Sequence, residues 1–146
     1  MASDAELIEA SLLQLAELGI ELRRGLFERF FAAFPERQSA FLCPEATSVR
    51  MTDETLQIMY GLALDEPWAW PLIAELVGTH RMYGTLPLAE YDAFIDLTLE
   101  EFAAALGPDW TEPCAEAWGR QAVRFKALIA EATDEWNRIL PRSASA

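Results

Sequence analysis

His80, in the segment LVGTHRMYGTLP, is the single histidine of this 146-residue chain. Imidazole is a common ligand of transition metals and a common acid or base near neutral pH. The ordinary interpretation of a lone histidine at the end of a helix is a surface or capping residue. The sequence around His80 must therefore decide whether this side chain binds a ligand.

The cysteines of the chain do not add a zinc site to this histidine. Cys43 and Cys114 lie far apart, without CxxC spacing and without a second histidine to complete a ligand set. Two unpaired cysteines are typical of a reduced compartment. The acidic N-terminus and the lack of a long apolar run favour a soluble cytoplasmic protein.

The charge of the chain restricts its partners. A formal net charge of −13 disfavours binding to nucleic acid and to the anionic surface of a membrane. We therefore expect small molecules or other proteins as partners. The length is typical of one domain, predicted over residues 1–140, and the small polar residues 141–146 are predicted to be a disordered tail.

Helical periodicity accounts for most of the chain, and no stretch keeps the alternation of a β-strand. Ser3 and Glu6 form a capping box before the first helix, and a second apolar segment ends at Pro35. Four further helices are predicted, from a start between Thr47 and Thr52, from Pro67 to about His80, from Pro87 to Gly107, and from Thr111 to about Pro141. The predicted fold class is all-α.

Three local patterns resemble the globin family, in particular the single-domain bacterial haemoglobins and the globin domain of flavohaemoglobins. The passage FPERQSAF is similar to the globin passage in which a proline begins a short helix and a phenylalanine, here Phe41, packs flat on the haem. The passage LIAELVGTHRMYGTLPLAEYDAFIDLTLEEF places His80 at the proximal histidine. The passage LGPDWTEPCAEAWGRQ resembles the bacterial turn into the final helix, with Trp118 at the family's tryptophan. The resemblance extends from about Leu7 to about Ile129.

The resemblance implies a globin fold of about six to eight helices packed around a pocket for haem b. His80 would be the proximal ligand of the iron, and the carbonyl of Leu76, one turn earlier, would hold the second imidazole nitrogen. A broad apolar slot must surround the porphyrin. The residues assigned to that slot are Phe41, Phe94, Leu97 and Leu99.

The distal side of the predicted pocket departs from the bacterial pattern. Phe27 stands where many bacterial relatives carry a tyrosine that donates a hydrogen bond to bound oxygen. An ungapped comparison places Ser48 at the position of the distal histidine or glutamine and Thr52 one turn further on. A shift of this register by one to four residues would instead place there Val49, Met51 or Thr55.

By the resemblance, the chain would bind haem and take up O₂, NO or CO as a carrier, scavenger or sensor. A weakly polar distal pocket favours NO and CO relative to O₂. One alternative is an NO dioxygenase or weak peroxidase, which would need a separate reductase because the chain has no flavin or nicotinamide domain. Another is a haem-free globin-fold domain for regulatory interactions.

Further roles depend on the same resemblance. Met51 or Met59 could reach the iron as a sixth ligand, although methionine at helical spacing is usually a core residue. Arg50 and Arg81 could pair with haem propionates. Globins often pair through their last two helices, which here carry aromatic residues, so a homodimer is a further expectation.

Overall fold

A computed structural model describes residues 1–142, and all regular structure in this range is helical. The α-helices, numbered in chain order, are α1 (Asp4–Leu18), α2 (Arg23–Ala33), α3 (Pro44–Ala63), α4 (Ala69–His80), α5 (Leu88–Leu106) and α6 (Glu112–Ile139). Short 3₁₀ turns are formed by Pro35–Ala40, Arg81–Tyr83 and Gly107–Asp109. The prediction of an all-α chain is confirmed for these residues. Among them, no helix combines the length and the apolar composition needed to cross a membrane.

The ends of α1 follow the signals in the sequence. The Ser3 hydroxyl accepts a hydrogen bond from the backbone N–H of Glu6 at 3.2 Å, as the capping box predicts. Gly19 ends the helix in the left-handed region, with φ of 66°, where a side chain would be strained. These local signals therefore fix both ends of the helix.

The start of α3 differs from the sequence prediction. The helix was expected to begin between Thr47 and Thr52, but it begins at Pro44. Proline suits the first helical position, because the N–H that it lacks would have no partner inside the helix. Residues 44–55 are consequently one continuous stretch of helix, so the helical repeat determines which of their side chains share a face.

Helix α6 is the centre of the hydrophobic core and packs against α1, α3, α4 and α5. Trp118 of α6 is fully buried, and its indole N–H donates to the Ser11 hydroxyl at 2.9 Å. Ser11 in turn donates to the carbonyl of Ile8 at 2.7 Å. The polar groups brought into the core by these residues are therefore hydrogen-bonded, as burial requires.

A second cluster consists of aromatic side chains from α2, α5 and the chain after α2. Phe27 lies at its centre, with ring centroids 5.7 Å from Phe41 and 5.5 Å from Phe94, both in edge-to-face contact. Aromatic pairs prefer this geometry. Phe27 therefore connects the segment that carries Phe41 to helix α5.

The predicted tail, residues 141–146, lies partly within the described chain. Arg142 is described, and its guanidinium donates hydrogen bonds to the carbonyls of Arg81 and Gly84. Residues 143–146 lie outside the described residues. The described part of the tail thus contacts the turn that follows α4.

Replacing Ser11 by alanine tests the hydrogen bond at the core. The change leaves the buried Trp118 N–H without its acceptor, so we expect the free energy of unfolding to fall by about 1–3 kcal/mol in urea titrations. Ser39→Ala is the matched control, because the Ser39 hydroxyl is exposed and donates to the carbonyl of Glu36. Small and equal losses in both variants would contradict a structural role for Ser11.

Candidate functional site

A mostly apolar cavity of about 390 Å³ is lined mainly by α3, α4 and α5. One side chain from α2, two from α6, and residues of the segments after α2 and after α4 complete the lining. Its volume falls within the range of small-molecule sites, about 300–1,000 Å³. The α6 residues that line it, Phe125 and Ile129, belong to the hydrophobic core. The cavity therefore borders the hydrophobic core.

His80 ends α4 and lines this cavity as a half-buried side chain. Its Nδ1 lies 2.8 Å from the carbonyl oxygen of Leu76, one helical turn earlier. Because a carbonyl can only accept, Nδ1 carries the proton of the neutral imidazole, and the lone pair is on Nε2. The helix therefore fixes the ring and leaves one nitrogen available as a ligand.

Tyr91 packs against the imidazole from the beginning of α5. The two ring centroids are 5.6 Å apart, with an interplanar angle of 75°. Burial raises the pKa of the Tyr91 phenol to about 12, so this group is protonated and uncharged near neutral pH. His80 is thus held between its own helix and an uncharged aromatic ring.

Met51 and Thr55, two of the alternative residues for the distal position, both line the cavity. Ser48 and Thr52 are buried, with 6% and 4% of their surface exposed, but they lie outside the cavity lining. A step of three residues along a helix turns the side-chain direction by about 60°. The structure thus brings two of the alternative residues to the site, while the third, Val49, is exposed and borders a separate shallow groove.

The α3 hydroxyl groups are directed largely to the backbone of their own helix. Thr55 donates to the carbonyl of Met51 at 2.8 Å, and Ser48 donates to the carbonyl of Glu45 at 2.9 Å. The Thr52 hydroxyl is buried and has no hydrogen-bond partner among residues 1–142. Thr55, the one of these hydroxyls at the cavity, therefore has its proton directed away from it.

The apolar residues predicted to form the slot divide into two groups. Phe41 and Phe94 line the cavity, and Phe27 packs behind both of them without lining it. Leu97 and Leu99 lie outside the lining, where Leu97 packs on the aromatic cluster and Leu99 on the main core. The reason is geometric, because α5 borders the cavity only along its first two turns and then runs past it.

The other residues predicted to contact haem, Met59, Arg50 and Arg81, do not all lie at the cavity. Met59 is fully buried in the core and lies outside the cavity lining. Arg50 lines the cavity, whereas Arg81 donates to the side chain of Asn137 at 2.8 Å and to the carbonyl of Leu140. Of the two predicted partners for a carboxylate, only Arg50 is therefore at the site.

An ion pair in the cavity wall was not found by sequence analysis. Arg37 donates from Nε and Nη2 to the two carboxylate oxygens of Glu90, at 2.8 and 2.7 Å. These bonds raise the pKa of the Arg37 guanidinium. The pair joins the Pro35–Ala40 turn, which leads to Phe41, to the beginning of α5. Its two residues are 53 positions apart, so no local pattern could have predicted it.

Clusters of metal-binding side chains are not found among residues 1–142, where no group of three or more His, Cys, Asp or Glu residues is arranged to hold a metal ion. Cys43 is exposed, and Cys114 is buried. Burial raises the pKa of the Cys114 thiol, which keeps it protonated. Of the residues that the sequence offered as iron ligands, His80 and Met51 line the cavity.

Comparison with known proteins does not assign a family to this chain. No protein-family model matches the sequence, and no curated protein matches it either. The function must therefore be argued from the residues around the cavity.

Double-mutant cycles test the pairing of Arg37 with Glu90. Replacing each residue by alanine, singly and together, should give a coupling of about 1 kcal/mol in urea unfolding, because two parallel hydrogen bonds are lost from a partly buried site. The matched pair is Arg29 and Glu101, which share a single hydrogen bond of 2.8 Å and are more exposed. The expected coupling there is smaller. An equal coupling in both cycles would show that the first pair does not organise the cavity wall.

Proposed function

We propose that this chain is a haem-binding protein of the globin type that takes up a diatomic gas, with His80 as the axial ligand of the iron. One observation carries the proposal, namely that the imidazole lines an apolar cavity while its Nδ1 is held 2.8 Å from the Leu76 carbonyl. Haem, when bound, would supply an iron centre that takes up O₂, NO or CO, and His80 would hold that iron. The chain's own part is to bind, orient and shield that group.

The residues of the cavity fit haem b by their chemistry. The His80 imidazole would supply the protein ligand that haem iron requires. Phe41, Phe94 and Ile95 offer apolar surface to a flat macrocycle. Arg50 lines the same cavity and offers a positive charge to the carboxylates at the edge of the group.

Two other residues, Phe41 and Trp118, support the globin type. Phe41 directly follows the proline-initiated Pro35–Ala40 turn and lines the cavity, in the place that the family's haem-packing phenylalanine would take. Trp118 is fully buried in the final helix, in keeping with the bacterial pattern. Both positions were part of the resemblance, and both have surroundings that suit their roles.

The α3 wall supports a preference for NO and CO over O₂. Met51 offers a thioether there, and the Thr55 proton is directed to the Met51 carbonyl. A hydrogen-bond donor retains O₂ more than it retains CO, because O₂ takes on negative charge when it binds. A scavenger or sensor of NO or CO is therefore the role best matched to these side chains.

Absorption spectra of the purified chain with added haem test the role of His80. In the wild type we expect a stoichiometric Soret band that shifts on reduction and on addition of CO. His80→Ala should lose or alter this band, and His80→Gly should regain it when free imidazole is supplied, because the imidazole replaces the missing ligand. Far-UV circular dichroism serves as the folding control.

Two other outcomes would overturn the proposal. A spectrum that is identical in the wild type and in His80→Ala would remove His80 from the iron. The absence of a stoichiometric Soret band would favour a haem-free interaction domain of the same fold.

A pair of substitutions on α3 tests the gas preference. Met51→Gln adds an amide donor at the cavity, so we expect O₂ to dissociate about 5- to 100-fold more slowly, with little change for CO. Thr55→Val is the matched control, since it removes a hydroxyl that already donates to its own helix, and we expect it to change the rate by less than about twofold. Stopped-flow displacement measures both. Faster O₂ release in Thr55→Val would show that the hydroxyl serves the ligand after all.

A further inference from the structure

Residues 136–142, which we call the C-terminal segment, contact the backbone that leads into His80. Trp136 donates from its indole N–H to the carbonyl of Ala74 at 2.7 Å. Its ring also covers Gly78, where an added Cβ would lie 2.7 Å from the indole. The last two turns of α4 are therefore held against the end of α6.

The same segment also contacts the backbone that follows His80. Arg142 donates from Nη2 to the carbonyl of Arg81 at 2.8 Å and to that of Gly84 at 2.9 Å. In the opposite direction, Arg81 donates to the Asn137 side chain at 2.8 Å and to the carbonyl of Leu140. Arg142 therefore binds the turn after His80, and Arg81, within that turn, binds the C-terminal segment.

These contacts meet a need of the local backbone. The carbonyls at the C-terminal end of a helix lack partners within the helix and carry partial negative charge. A guanidinium placed there satisfies two carbonyls at once and is favoured by the helix dipole. Gly84, with φ of 97°, follows the turn directly, and the turn's own backbone hydrogen bond, from the Gly84 N–H to the Arg81 carbonyl, is long at 3.4 Å.

The C-terminal segment therefore contacts the backbone on both sides of His80, through α4 before it and through the turn after it.

We propose that the C-terminal segment is a positioning element that fixes the His80 imidazole in the cavity wall and thereby sets how tightly the cavity holds its ligand. Arg142 and Asn137 are positioning residues in this sense, since neither lines the cavity. The identity of the ligand rests on the proposed function, but the contact between the segment and the turn does not.

The test combines Arg142→Ala with Asn137→Ala in one variant. Arg138→Ala is the matched control, because Arg138 lies between them and pairs with Glu135 on its own helix. In the ligand-free chain, hydrogen exchange of the amides of residues 81–86 should be at least about fivefold faster in the double variant and unchanged in the control. Urea unfolding of both variants shows whether global stability has changed.

Haem-loaded protein gives the second part of the test. The double variant should release haem to an excess of a scavenging apoprotein at least about fivefold faster than the wild type. The iron–histidine stretching band of the reduced protein should shift, and a mere loss of stability would not move this band. Arg142→Lys, which retains a cationic donor, should recover part of both effects.

The outcomes separate this inference from the proposed function. Faster exchange in residues 81–86 together with faster haem release and a shifted band supports a positioning element. Unchanged exchange overturns it, whether or not the chain binds haem. Faster exchange with unchanged haem release and an unchanged band also overturns it, because the segment would then order the turn without acting on His80.

Discussion

The hydrogen bond between the His80 ring and the Leu76 carbonyl is the constraint on which the site depends. It exists only if residues 76–80 are a regular helix, because the donor and the acceptor must be one turn apart. A frayed end of α4 would let the ring rotate and would release both nitrogens to water. The packing of α6 against α4, and the contacts beyond the end of α4, therefore matter to the site as much as the residues that line it.

The opposite side of the cavity depends on aromatic packing. Phe27 contacts both Phe41 and Phe94, so the chain after α2 and the first turns of α5 are held by one ring. The pair of Arg37 and Glu90 joins the same two elements at a second point. The wall thus combines aromatic packing, which excludes water, with the Arg37–Glu90 hydrogen bonds, which fix the relative position of the two elements.

Local sequence patterns predicted the residues whose positions are set within one helix. They predicted fewer of the features that depend on how the helices pack against one another. His80, Leu76 and Phe41 were assigned to the site from short motifs, and all three line the cavity. Of the α5 residues assigned to the apolar slot, Phe94 lines the cavity, and Leu97 and Leu99 do not. Ser48 and Thr52 were assigned from an ungapped comparison, and both lie outside the cavity lining, whereas Met51 and Thr55, three residues further along, line the cavity. Residues three positions apart on α3 point in directions that differ by about 60°. Periodicity alone does not distinguish two adjacent faces of a helix when both faces are partly buried.

The Thr52 hydroxyl, which has no hydrogen-bond partner in the described part of the chain, has a consequence for how the sequence could change in evolution. A buried hydroxyl without a hydrogen bond costs about 1–3 kcal/mol, a large fraction of the net stability of a small domain. Valine has nearly the same shape and carries no such cost. The position next to the cavity therefore holds a reserve of stability, which would allow the chain to accept a new and otherwise destabilising polar side chain in the cavity itself.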